Sequence, residues 1–181
     1  MPPARPNLSP HRQSMKPLAP PDSHHLSAAW GWLGLGNWKE ALQEYQQITP
    51  EFRCHPDTLE VAREIFIQTG KWDMAAETAG MLVKMKPEEP ASWIALAYAT
   101  RRKQGGGLLA ARDILALAQC RFPKDTIITY NLACYECQLG DQQAAWDWMK
   151  RCLATGPAGQ IRSMALDDHD LEPLWPRIRE P

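Results

Sequence analysis

Gly70-Lys71-Trp72-Asp73-Met74-Ala75-Ala76 is the stretch against which the rest of the chain is measured, because near copies of it lie on both sides. Upstream stands Gly36-Asn37-Trp38-Lys39-Glu40-Ala41. Downstream stand Gly106-Gly107-Leu108-Leu109-Ala110-Ala111 and Gly140-Asp141-Gln142-Gln143-Ala144-Ala145. The leading glycines are 34, 36 and 34 residues apart. Recurrence at such a period signals an array of like units, none of which can bury its apolar face alone.

Around these copies apolar residues recur at steps of three and four, without the alternation of a strand. The pattern predicts paired helices over 23–35 and 38–49, 57–69 and 72–85, 91–103 and 108–121, and 126–139 and 142–154. The glycine between the two helices of a pair sits where a left-handed residue ends the first helix. Pro87, Pro123 and Pro157 then stop three of the second helices.

Five residues after each turn glycine stands a small residue: Ala41, Ala75, Ala111 and Ala145. Trp93, Leu96 and Ala97 form a Trp-x-x-Leu-small pattern in a first helix, Leu132 and Ala133 repeat its second half, and Ala29 fills its small position. These residues resemble the tetratricopeptide repeat, as found in stand-alone bacterial proteins, over residues 23–157. The resemblance implies an all-α fold, a right-handed superhelix of stacked antiparallel helix pairs. The units run about 23–56, 57–90, 91–125 and 126–157. Residues 158–181 follow as a closing helix and tail, with Leu171, Leu174 and Trp175 set against the fourth unit. Two places depart from the pattern. Arg63 occupies the small position of the second unit, and Gly105-Gly106-Gly107 lengthens the turn of the third.

Residues 1–22 hold seven prolines, which remove backbone donors and block helix, so a disordered or polyproline-like tail is expected. Met15 offers a second possible start, and the tail is also a candidate occupant of a groove. The 181 residues are 44% hydrophobic and 23% charged, ordinary for a globular chain able to bury a core. Formal net charge is −1, with Arg5, Arg12 and Lys16 in the tail, so no basic excess points to nucleic acid. No apolar run is long enough for a membrane span. Five cysteines, an odd number without framework spacing, fit a reducing, cytoplasmic setting. Eight tryptophans are expected mostly as packing within the helical stack.

Chemistry has few candidates. Cys134-Tyr135-Glu136-Cys137 is a CxxC, but it lies within a predicted helix and no second pair of ligands accompanies it, so free thiols are favoured over metal or redox use. Asp167-Asp168-His169-Asp170 could face a cation, yet such runs also cap helix ends. No phosphate loop or nucleophile elbow occurs. The expectation is a protein that is not an enzyme and needs no cofactor.

The resemblance offers a groove lined by the first helix of each pair. Its matching positions are Leu26, Trp30 and Leu33, then Glu60, Glu64 and Ile67, then Ile94, Tyr98 and Arg101, then Tyr130, Cys134 and Cys137. Steps of three and four put each trio on one helical stripe. Aromatic anchors among a few charges suit a protein or peptide partner. The lysine, asparagine and arginine with which some relatives grip a C-terminal carboxylate are absent: Leu26, Trp30, Val61, Ala91 and Ala95 stand in their places. Alternatives are a small secretion-type chaperone holding a client segment, and a structural protein that self-associates through the first helix pair.

Overall fold

The structure, a computed structural model, describes residues 17–180. The expected tail lies largely outside them. Eight helices pair in order: α1 (Asp22–Gly34) with α2 (Trp38–Gln47), α3 (Pro56–Gln68) with α4 (Trp72–Met85), α5 (Pro90–Arg102) with α6 (Leu108–Arg121), and α7 (Thr126–Leu139) with α8 (Gln142–Thr155). Then come α9 (Ala158–Asp167), a 3-10 segment (His169–Leu174) and α10 (Trp175–Arg179). Among the described residues no strand occurs, and the all-α stack of helix pairs is the expected fold class.

Local chemistry sets these boundaries. Asn37, Asp125 and Asp141 accept hydrogen bonds from backbone N–H groups of the first turns of α2, α7 and α8, at 3.4, 2.9 and 2.8 Å. Pro56 and Pro90 open α3 and α5, where a missing N–H costs nothing. α4, α6 and α8 each end two residues before a proline. Asp22, read from sequence as the end of the tail, instead starts α1. Its carboxylate is buried and accepts from the Thr49 backbone N–H at 2.7 Å and the Thr49 hydroxyl at 3.2 Å. The first helix is thereby tied to the end of its pair.

Packing explains the alanines. Ala41, Ala75, Ala111 and Ala145 are wholly buried, as are Ala29, Ala97 and Ala133 opposite them, so the paired helices approach where a larger side chain would not fit. The largest core runs from Ala97 through α6, α7 and α8 to Leu171, Leu174 and Ile178. Trp38, Trp93, Trp146, Trp148 and Trp175 lie half-buried against the cores.

Both departures carry structural consequences. Arg63 is half-buried, and its Nε is enclosed without a hydrogen-bond partner. In the third turn the sequence reading placed the left-handed residue at Gly106; the structure places it at Gly105 (φ 66°) and Gly107 (φ 128°). Gly106 is needed for a different reason. A Cβ there would stand 1.9 Å from the carbonyl oxygen of Thr100, which accepts the Gly107 N–H. Three consecutive glycines thus meet three separate demands of one tight crossing.

Candidate functional site

The stripe residues of α1, α3, α5 and α7 fall into two groups. Trp30 and Tyr98 are 39% and 38% exposed, the Tyr98 ring with the Arg102 guanidinium stacked on one face. Leu26, Glu60, Glu64, Ile67 and Ile94 are half-buried. Glu60 is held by Lys86 at 2.7 Å, and Lys86 also approaches Glu89 and Asp57. Burial acts to lower the Lys86 pKa, but these carboxylates outweigh it and leave the amine above its ordinary value. Glu64 accepts from the Gln68 amide at 3.3 Å. Leu33, by contrast, is buried with Ala29, Ala41, Val61 and Ile65, so it serves the core and offers no surface to a partner.

At the far end the chain covers its own stripe. The 3-10 segment after α9 packs against α7, with Leu171 and Leu174 0% and 1% exposed. Asp168 is the fastening. One carboxylate oxygen accepts from the Tyr130 hydroxyl at 3.0 Å and from the Cys134 thiol at 3.5 Å, while the other accepts from the Asp170 backbone N–H at 3.0 Å. Asp170 pairs with Arg101 of α5 at 3.3 Å. Arg101 also donates to Gln138 and lies 5.4 Å over the Tyr135 ring. Cys134 and Cys137 are in consequence buried, and Tyr130 half-buried. The sequence reading of the acidic run as a cap is right for Asp168 toward Asp170. It missed the larger role, because nothing local marks a partner some 34 to 38 residues away.

The electrostatics of this corner disfavour redox use of the CxxC. Burial, then the charges of Asp168 and Asp170, push the Cys134 thiol well above its usual value, and Cys137 rises for the same reasons. Burial and the neighbouring Cys134 and Asp168 likewise raise Tyr130. A thiol held protonated is a poor nucleophile and a poor ligand. All five cysteines are free. Among the described residues no three His, Cys, Asp or Glu side chains are grouped to hold a metal ion, and no helix is long and apolar enough to cross a membrane.

No protein-family model matches this chain, and no curated protein does. Solved structures do. A thermophilic TPR protein of Thermus thermophilus, TTC0263, superposes with a TM-score of 0.65 at 20% identity, covering 87% of this chain and 83% of that one. The MamA protein superposes at 0.66 with 16% identity, covering 87% of each chain. A MamA RS-1 double mutant gives 0.66 at 11% identity over 82% of this chain and 79% of that one. At these identities the likeness is one of fold, and the fold is the tetratricopeptide solenoid.

Proposed function

We propose that this protein is a non-enzymatic interaction module that holds a partner's peptide or helix along the stripe of α1, α3 and α5. The observation that carries the reading is the exposure of Trp30 and Tyr98 on first helices of the stack, with Glu60, Glu64 and Ile94 half-buried on the same set of helices. Large aromatics part-exposed on a surface made of aligned helices are the usual anchors of such a site. The fourth unit contributes little, because the closing segment occupies its stripe; Arg101 and Tyr130 act within that closure. The free thiols accord with a reducing cytoplasm.

The test is a pull-down with mass spectrometry, followed by titration of the purified partner against wild type, Trp30→Ala and Tyr98→Ala. Each variant should keep its helical circular dichroism and lose roughly tenfold or more in affinity, the scale of an aromatic anchor. A variant that keeps both fold and full affinity overturns the reading. Self-association is the second reading, favoured by Trp32 and Leu35, 36% and 77% exposed in the first helix pair among the described residues. Light scattering that shows a monomer at every concentration would dismiss it.

A further inference from the structure

Arg101 and Arg102 end α5 side by side, and the structure gives them opposite fates. Arg101 is filled: the chain's own acidic segment places Asp170 on it at 3.3 Å. Arg102 is exposed and is paired with no carboxylate among the described residues. Its guanidinium carbon lies 3.7 Å from the Tyr98 ring centre and 5.4 Å from that of Trp72. The two rings meet edge to face at 5.9 Å and 69°. A depression of about 320 Å³ opens beside them, lined by Lys71, Trp72, Asp73, Met74, Arg102 and Gln104 together with Gly70.

This is a prepared group. Stacking on Tyr98 fixes the plane of the guanidinium, and one N–H donates to the Tyr98 carbonyl oxygen at 3.1 Å. The other N–H groups of the fork remain for an acceptor, and a planar one can meet two at once. Side-chain entropy that a mobile arginine would lose on binding is already lost. Lys71 and Lys103 are its basic neighbours, also without carboxylate partners among the described residues, so against the one carboxylate of the lining, Asp73, this corner holds a cationic excess in a chain of net charge −1. Glu60 and Glu64 lie on the preceding first helix, α3.

We infer that Arg102, stacked on Tyr98 beside Trp72, receives an acidic side chain, Asp or Glu, of the partner segment. The inference rests on the groove reading above and gives the partner a polarity: its acidic residue lies at the α5 end, its apolar residues toward Trp30. The pairing of Asp170 with Arg101 is the internal precedent, since an acidic segment of this same chain already docks one residue away. A single-stranded nucleic acid could also use arginine and aromatic rings, but it would meet Glu60 and Glu64 along the same stripe.

The experiment is selection of random displayed peptides on the full chain, in parallel on Trp30→Ala and Arg102→Met. Enriched sequences are then synthesised with amidated C-termini, alongside copies in which Asp and Glu become Asn and Gln. Wild type should enrich acidic peptides. The neutral copies, and the Arg102→Met variant, should each bind about fivefold or more weakly, with Arg102→Lys between, because lysine keeps charge but not the stacked fork. Absence of acidic enrichment, unchanged affinity in Arg102→Met, a need for a free C-terminal carboxylate, or preference for an oligonucleotide each overturns the inference. Peptides that depend on Trp30 but lack acidic bias overturn it while sparing the groove reading. Acidic peptides that need Arg102 and ignore Trp30 do the reverse.

Discussion

Removing the Asp168 carboxylate should loosen the whole C-terminal third of the chain, and its size can be worked out bond by bond. The Tyr130 hydroxyl at 3.0 Å is a sound bond to a charged acceptor, worth about 1.5 kcal/mol at a half-exposed site. The Cys134 thiol at 3.5 Å is a weak donor, worth about 0.5 kcal/mol. The cap onto the Asp170 N–H adds about 1 kcal/mol. Asp168→Ala should therefore cost about 3 kcal/mol, and Asp168→Asn, which keeps an oxygen for the cap, about 2 kcal/mol. The assay is urea unfolding followed by circular dichroism, run as a cycle with Tyr130→Phe. Coupling between Asp168→Asn and Tyr130→Phe should be about 1 kcal/mol. Loss of the charge also lets the Cys134 pKa fall, so its reaction with a thiol reagent should quicken in the folded state. Additive single-variant effects, with unchanged thiol reactivity, would show that Asp168 does not fasten the segment.

Gly106→Ala should destabilise far more than Gly140→Ala: the first drives a Cβ into the Thr100 carbonyl, whereas the second only forces alanine to φ 89° in open space, costing about 1 kcal/mol. Thermal unfolding checks the order, and reversal would refute it. Arg63→Met should leave stability equal or raise it by about 1 kcal/mol, since it keeps the aliphatic stem and removes an enclosed donor without a partner. A clear loss in urea unfolding would reveal an interaction of Arg63 beyond its Nε. Stability should fall as pH rises above about 9, because Cys134, Cys137, Cys152, Tyr130 and Lys86 all have folded pKa values above their unfolded ones. Such groups bind protons more tightly when folded, so their stabilisation is complete below the unfolded values and disappears as pH climbs toward the folded ones. Cys134→Ala should flatten the decline of the urea midpoint between about pH 8 and 11; a flat wild-type profile would refute the assignment.

The stack was legible in sequence because it is written in short-range geometry. Ala41, Ala75, Ala111 and Ala145 had to be small for reasons confined to one helical hairpin, and the 34-residue interval repeats that reason. Arg63 and the triple glycine were visible as breaks for the same cause, although the break at Gly106 proved to be a steric one and its left-handed residues lie on either side. The stripe was less legible. Helical spacing places Leu33, Cys134 and Cys137 beside Trp30 and Tyr98, but it cannot say which of them the rest of the chain will cover. Leu33 went to the first core, and the two cysteines lie beneath a segment more than thirty residues downstream. That the acidic run would choose Tyr130 and Arg101 depends on how α9 turns back, which no local periodicity encodes.

The closing segment also bears on how copies of the chain can add to one another. Leu171, Leu174 and Ile178 seal the core of the last hairpin, while Ile127 and Met164, 58% and 51% exposed, border an apolar depression beside it. Head-to-tail addition needs two unlike, complementary faces, and the described residues place exposed apolar side chains at both ends, Trp32 and Leu35 at one and Ile127 and Met164 at the other. Copies that meet through their first helix pairs alone meet as equals about a twofold axis and stop at the dimer, whereas a first pair seated on a last hairpin would continue the stack.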